Sequence, residues 1–568
     1  MRTWLTTALV FALALVFMVP VVWLVPFDFY EYMMRGLRLA LGFGYTGLEG
    51  ETLVNRPPLY SAIIAVVILA SGPSMTAMMW LQGAIAALNV TLLFTATRRW
   101  FGETAGLVAV CLALVSGLLH PYLVNHIDPW WCASLLAFLI AQERALRGGG
   151  GRWWIIGGVF LGIAYNFKEA TIIMLPAPFL SALWLGGGQV RERLKTAALA
   201  YAAAVPLMVP WALYTMLNAD TGPLSLLGAY GGRLVSGAES SPGAGLAERG
   251  LGFVTGFLKL WYDKSHMNTL AWSFALTPGY AVAWLYAFWR ATRGDWGFRY
   301  LALVFVLLAP FVAVVGAGKL RMGQLDLFIL LSMATLAGGA MDIIGRLAPS
   351  VSTRRLAGGL AASLFITAEA FGPGVGYLYV HFQFLNKDPG EYLLRPRTEG
   401  LAAWTMANLG SSAKIMATDF RAGKMLYWDT RGGVEVKTLD FDTYDYFKTQ
   451  VKFNYSKDKV TEHDAMAHLK EKPVAIANML ARQVPVVFML REQRFFAQLK
   501  DCEYVMVSRM YRVEQSKLEP LHGWKPVEPK ELGLYLQPLK ERHPEAYQWY
   551  RERLAAYQTQ ESGGVPLP

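Results

Sequence analysis

The sequence predicts a polytopic α-helical membrane protein that ends in an extracytoplasmic α/β domain. Three observations predict it. Hydrophobic residues make up 54% of the 568 residues and charged residues only 16%, well below the roughly 25% of soluble chains. Mean hydropathy is +0.33, too apolar for a soluble surface of this size. The apolar residues gather into about eleven runs, each near the ~20 residues a helix needs to cross a bilayer, and charge density rises only after about residue 381.

The runs lie near 4–26, 75–97, 104–121, 127–146, 153–167, 170–187, 196–217, 268–289, 298–316, 323–344 and 356–380. The first follows Arg2 like a signal peptide, but it is long and lacks a small-residue cleavage site before Pro26-Phe27-Asp28, so it reads as a retained span. With the N-terminus in the cytoplasm, the short inside loops hold Arg98-Arg99, Arg144/Arg147/Arg152, Arg191/Arg193/Lys195, Arg290/Arg293/Arg299 and Arg346/Arg354/Arg355. Every one is basic, as the positive-inside rule requires. The net charge of +11 is thereby largely an orientation signal, and it does not point to nucleic acid. The three cysteines, Cys111, Cys132 and Cys502, make no disulfide framework; the first two sit in apolar runs as small hydrophobes.

Two regions emerge: 1–380 within the membrane, with external loops 27–74 and 218–267, and an external domain over 381–568. Loop 27–74 opens with the amphipathic run Tyr30–Leu39, suited to a helix lying on the membrane surface. It ends in Arg56-Pro57-Pro58-Leu59-Tyr60 and an apolar stretch to about Ser71, too short to span and suited to a re-entrant or interfacial helix. Loop 218–267 is rich in Gly and Ser, with Ser240-Ser241-Pro242-Gly243; loops this long are functional or disordered. In the tail, 413–418, 434–436, 485–490 and 504–507 read as strands and 398–410, 443–450 and 541–558 as helices, which together suggest a small α/β domain. No metal-spaced Cys/His cluster, P-loop or dinucleotide fingerprint occurs.

Ionisable groups at span ends are costly and are functional candidates by default. Asp28 follows the first span, His126 and Asp128 precede the fourth, Lys168 and Glu169 join the fifth to the sixth, and Lys319 and Arg321 lie between the ninth and tenth. The assigned topology puts all of them on the outer face. Each also has a structural reading. Asp28 ends a helix; Asp128-Pro129 is an N-cap with Pro at the first helical position. His126 is a satisfied interfacial histidine, Lys168 and Glu169 pair with each other or with charges opposite, and Lys319 and Arg321 snorkel. Trp130, Trp131, Trp153 and Trp154 read as belt residues at the interface.

Asp28-x-x-x-Tyr32, Gly42-x-Gly44-Tyr45 and Arg56-Pro57-Pro58-Leu59-Tyr60 resemble the first external loop of GT-C glycosyltransferases. The branch resembled is the family 39-like one of protein O-mannosyltransferases and lipid A aminoarabinose transferases. The resemblance matches Asp128 to a second acidic residue and Lys168 to a basic loop residue. It matches Lys319-Leu320-Arg321 to a motif that is usually Arg-Tyr, a departure here. Phe29 stands where a second acid often follows, so Asp28 and Glu31 both remain open as the first acid.

The resemblance implies transfer of a sugar from a polyprenyl-phosphate carrier to a lipid, glycan or protein acceptor on the periplasmic side of the inner membrane, with inversion. Asp28, Glu31 and Asp128 would be the catalytic set. Arg56, Lys168, Lys319 and Arg321 would hold the donor phosphate, with Tyr32, Tyr60, His126 and Glu169 around them. No cofactor is firmly implied, and a divalent metal stays open, because some GT-C enzymes use one and others do not. The residue types suit that chemistry: a carboxylate takes the acceptor's proton, and cations stabilise the phosphate as it leaves. Rival readings are a non-catalytic subunit or scaffold of a membrane complex that keeps this fold, and a transporter. The transporter is disfavoured because no internal repeat is present and the polar set lies at one face.

Overall fold

The computed structural model describes residues 2–18, 27–47, 53, 56–115, 127–218, 277–316, 326–348, 350–369, 406, 414–417, 427–433, 435–438 and 504–506. The helices are α1 (Arg2–Met18), α2 (Phe27–Ala40), α3 (Leu59–Ser71), α4 (Met75–Phe101), α5 (Glu103–Val115), α6 (Asp128–Arg144), α7 (Gly151–Phe167), α8 (Ala177–Leu185), α9 (Val190–Asn218), α10 (Thr277–Thr292), α11 (Trp296–Gly316), α12 (Asp326–Leu347) and α13 (Val351–Glu369). Every predicted apolar run has a helix within it. The chain is thus an α-helical membrane protein. Among the described residues, Met75–Phe101, Val190–Asn218 and Leu327–Leu347 are long and apolar enough to cross a bilayer.

Local chemistry sets the ends of these helices. The Ser74 hydroxyl caps α4 by accepting from the Ala77 N–H at 3.3 Å, and Gly102, at φ 97°, ends it. Arg98 and Arg99 occupy its last turn, where cations suit the helix dipole. The sixth predicted run does not form one helix. Glu169–Met174 is a 3₁₀ segment and α8 starts only at Ala177, with Pro176 as its N-cap and Pro178 in its first turn. Proline is tolerated in a first turn and disrupts a helix interior, so the break falls there.

The chain divides into two compact units. In the first (Met1–Phe29, Leu53–Ile63 and Ser74–Pro389), α7 and α9 make an intimate crossing. A Cβ added at Gly158 would lie 2.1 Å from the Ala200 carbonyl oxygen, and one at Gly162 would lie 2.8 Å from the Leu207 Cβ. Ala197, Ala200 and Ala204 on α9 are fully buried. Small residues four apart let two backbones approach, the usual device for joining helices in lipid. α9 carries Pro206 and Pro210 in its interior, and proline withholds an N–H from the ladder. Within that interrupted stretch the Leu207 carbonyl accepts from Asn166 at 2.7 Å, which fixes the end of α7 against the segment leading to Trp211.

The basic loop residues prove to be more than orientation signals. Glu143, 0% exposed, receives Arg99 at 2.5 Å and Arg147 at 2.8 Å, tying α6 to α4. Asp342 receives Arg290 at 2.7 Å and Arg346 at 3.1 Å. The belt reading is corrected for Trp131 and Trp154, while Trp130 and Trp153 are half-buried. Trp131 and Trp154 are buried, and Trp153 lies under the Arg144 guanidinium at 4.2 Å. Packing between helices wins over the bilayer interface at these positions.

The second unit is Tyr30–Thr52, Ile64–Pro73 and Gly390–Pro568. α2 forms where the amphipathic run predicts, yet every residue from Tyr32 to Leu37 is buried. At 100° per residue six consecutive positions cover more than one face, so protein covers α2 on more than its apolar side. Its end is pinned by Arg38, which reaches Thr46 at 3.0 Å. Three strands, β1 (Lys414–Ala417), β2 (Glu435–Thr438) and β3 (Tyr504–Met506), form a parallel sheet in the order β2–β1–β3. Parallel pairing needs crossover connections, the pattern of α/β folds. The strands fall on three of the four predicted segments. Segment 485–490, the tail helices apart from Met406, and most of loop 218–267 lie outside the described residues.

The α7–α9 crossing yields a testable expectation. Gly158→Ala forces a methyl into backbone and should destabilise the protein by about 1–3 kcal/mol, the usual cost of overpacking. Gly187→Ala, which meets nothing within 4 Å, should be neutral. Thermal unfolding in detergent compares the two, and equal melting temperatures would refute the tight crossing.

Candidate functional site

The start of α6 and the end of α7 bring the first two candidates together. Ile127 occupies the N-cap position and Asp128-Pro129 the first turn, so Asp128 stands one residue inside the cap that the sequence suggests. Its carboxylate, 3% exposed, accepts from the Lys168 ammonium through Oδ1. Lys168 is the C-cap of α7 in an extended conformation, φ −153° and ψ 121°. Its ammonium stands 5.3 Å from the centre of the Trp131 ring, a favourable cation–π placement. Trp131 Nε1 donates to Thr171 Oγ1 at 2.8 Å, and that hydroxyl donates to the Lys168 carbonyl at 2.8 Å. A closed circuit of side chains and backbone therefore holds the lysine.

The next residue supplies a second carboxylate. Glu169 opens the 3₁₀ segment at 4% exposure and accepts from Trp211 Nε1 at 2.8 Å. Burial pushes its carboxyl up to about 7, against the opposing pull of the Trp211 hydrogen bond and the Arg56 charge. Arg56 and Lys168, expected from sequence as cations of one site, thus each stand near a buried carboxylate. The loop pairing predicted for Lys168 and Glu169 resolves as Lys168 with Asp128, across helices.

Tyr60 is held in the same unit. Gln82 donates to its hydroxyl, and Trp130 Nε1 donates to Gln82 Oε1 at 2.9 Å. The Tyr60 and Trp130 rings are 5.9 Å apart, and Trp130 lies 5.7 Å from Phe167. Asn89 donates to the Pro129 carbonyl at 2.8 Å, tying α4 to the first turn of α6. Sequence reading passed over Gln82, Asn89, Thr171 and Trp211. Gln82 and Asn89 had a signal: amide side chains inside an apolar span are expensive unless bonded across helices. Thr171 and Trp211 had none.

The remaining candidates are placed less fully. In the second unit, Glu31 accepts from Arg35 one turn along α2, and the Arg35 guanidinium stands 5.9 Å from the Tyr32 ring. Asp28 lies in the first turn of α2, with its side chain outside the described residues. His126, Lys319 and Arg321 also lie outside them. Among the described residues no group of three or more His, Cys, Asp or Glu side chains comes together to hold a metal ion.

Two expectations follow from this geometry. Lys168→Met strands a buried carboxylate and should cost about 3–5 kcal/mol, whereas adding Asp128→Asn should recover part of that loss; a double-mutant cycle by thermal unfolding reads the coupling, and additive effects would refute a pair. Glu169 binds a proton in the folded chain between the ordinary 4.5 and about 7, where the unfolded chain has released it. Its contribution therefore falls as pH rises through that window, by on the order of 3 kcal/mol. Glu169→Gln should flatten that part of the melting-temperature profile against pH.

Known proteins can now be set beside this geometry. Residues 55–214 match the dolichyl-phosphate-mannose-protein mannosyltransferase family, a stretch holding Arg56, Tyr60, Asp128, Lys168 and Glu169. No curated protein matches the chain in sequence. ArnT from Cupriavidus metallidurans in its apo state is 14% identical with a TM-score of 0.51, over 87% of this chain and 97% of that one. The Archaeoglobus fulgidus oligosaccharyltransferase, in complex with zinc and sulfate, is also 14% identical with a TM-score of 0.51, over 75% of this chain. The match covers 62% of that protein, so the chain spans about three-fifths of its length. Residues 55–214 are thus similar to that mannosyltransferase family, and the chain shares the fold of these two solved structures.

Proposed function

We propose that this chain is a multi-pass inner-membrane glycosyltransferase, with its N-terminus cytoplasmic and 381–568 as a periplasmic α/β domain. It takes a sugar from a polyprenyl-phosphate carrier and transfers it, with inversion, to a lipid, glycan or protein acceptor. The observation that carries this reading is the buried Asp128–Lys168 pair beside Glu169 and Arg56, inside the segment matched to a family whose described donor is a dolichyl-phosphate sugar.

In the reaction the acceptor oxygen attacks the anomeric carbon as the bond from that carbon to the phosphate oxygen breaks. The acceptor's proton passes to a carboxylate, and polyprenyl phosphate leaves. Asp28 is the base; the ion pair between Glu31 and Arg35 supports Asp28 over Glu31, because a carboxylate oxygen held by a guanidinium is engaged and less available to an acceptor hydroxyl. Asp128 orients the acceptor. Lys168, Arg56, Lys319 and Arg321 receive the phosphate, lysine as a point charge and arginine as a fork. Tyr32, Tyr60 and His126 line the site.

A second reading, a non-catalytic subunit with this fold, is favoured by one observation: Asp128 and Glu31 both carry cationic partners. Purified protein given a labelled polyprenyl-phosphate sugar and a mixture of acceptors separates the readings. Asp28→Asn should lower transfer by at least about a hundredfold, the scale of losing a general base. Wild-type transfer by both Asp28→Asn and Glu31→Gln would overturn the catalytic assignment.

A further inference from the structure

We infer that Gln82 is a positioning residue for the donor phosphate: its side-chain amide joins Tyr60 to Trp130 and so sets the segment that carries Arg56 beside the first turn of α6. The inference rests on the proposed role of Arg56 in binding that phosphate.

Gln82 lies within the apolar α4 at 1% exposure. A buried amide is costly unless its polar ends are bonded. An indole N–H can only donate, and Trp130 Nε1 donates to Gln82 Oε1 at 2.9 Å. That contact turns Nε2 toward Tyr60, whose hydroxyl accepts from it. One side chain thereby ties α4 both to the start of α6 and to the start of α3, with its orientation set by the indole.

The chain is stiff from Tyr60 back to Arg56, four residues earlier. Pro57 and Pro58 have fixed φ, and a residue before proline is kept out of the helical region. The Pro58 carbonyl then accepts from the Ala62 N–H at 2.8 Å as α3 begins, and Pro57 is buried. With so little rotation available between them, whatever fixes Tyr60 also fixes the backbone of Arg56.

The other side of the bridge leads to the remaining phosphate candidates. The Tyr60, Trp130 and Phe167 rings form a column with centroids 5.9 and 5.7 Å apart. Trp130 follows Asp128-Pro129, and Phe167 directly precedes Lys168. Arg56, Asp128 and Lys168 are each anchored through a near neighbour in that column, and Gln82 is the polar lock on its Tyr60–Trp130 contact. A separate amide, Asn89, donates to the Pro129 carbonyl at 2.8 Å, so α6 stays tied to α4 when Gln82 is changed. Simple glue between α4 and α6 would not need Tyr60; the hydrogen bond to Tyr60 is what extends the lock to the Arg56 segment.

Calorimetric binding of polyprenyl monophosphate to the full chain in detergent tests the role. Gln82→Met keeps the length of the side chain and removes both hydrogen bonds. It should weaken binding by on the order of tenfold, the scale of one charge-assisted hydrogen bond. In an Arg56→Met background it should weaken binding no further, because the group it positions is gone. Tyr60→Phe deletes a single hydroxyl and should repeat this pattern, also where Gln82→Met does not fold. Thr91→Ala is the control for general loosening of α4: its buried hydroxyl bonds the Ala87 carbonyl of its own helix, and it should bind as wild type does.

Wild-type affinity in a folded Gln82→Met protein, or in Tyr60→Phe, would overturn the inference. So would a loss that adds in full to that of Arg56→Met, or an equal loss in Thr91→Ala, since each marks an effect that does not pass through Arg56. Failure of wild type to bind the probe, or binding by Arg56→Met as tight as wild type, would overturn the proposed phosphate site itself, and the inference with it.

Discussion

The buried contact between Asp128 and Lys168 is the constraint on which the rest of the described site depends. It joins the first turn of α6 to the C-cap of α7, forty positions apart in the chain. Neither charge survives burial without the other, because removing water from an isolated ion costs several kcal/mol. The pair thereby fixes where α7 must stop. The 3₁₀ segment that follows then presents Glu169 to α9 and Thr171 to Trp131. The glycines of α7 serve the same end: only a close crossing brings Trp211 of α9 within hydrogen-bond reach of Glu169.

Much of this was legible in the sequence, and the parts that were not share a cause. Apolar runs report burial against lipid or protein without distinction, and each predicted run contains a helix. The amphipathic pattern of Tyr30–Leu39 is real, but it did not show that Arg35 would be buried with Tyr32, Met33, Met34 and Leu37. Lys168 and Asp128 stood out because charges at span ends are rare. That they face each other was not legible, since a pairing between the start of one helix and the end of the next depends on crossing geometry. Trp131 shows the same limit, since a tryptophan near a span end looks like a belt residue until a hydroxyl such as Thr171 is brought to its N–H.

The strands of the tail were legible for a simpler reason. Residues 414–417, 435–438 and 504–506 carry the β-branched and apolar residues Ile415, Val436, Thr438 and Val505 in short segments, the second alternating with charge, and period and composition suffice to mark them. Their order, β2–β1–β3 with parallel pairing, depends on the connections and not on the strands themselves.

Two of the ion clusters of the membrane unit, those at Glu143 and Asp128, differ in a way that bears on what each can do. Glu143 takes one arginine on each oxygen, Arg99 on Oε2 and Arg147 on Oε1. Guanidinium groups are rigid and permanently charged, so both cations are spent on one buried acid and the cluster ties helices together. At the other cluster the Asp128 partner is a lysine, held through a single nitrogen on a flexible stem. An ammonium has no preferred plane, and it can turn from a carboxylate to a phosphate with little loss of geometry. Release costs the carboxylate its partner, but Asp128 keeps the helix N-terminus behind it. A lysine at 168 is therefore the residue type expected where a cation must change partners, and arginines at 99 and 147 are the type expected where it must not.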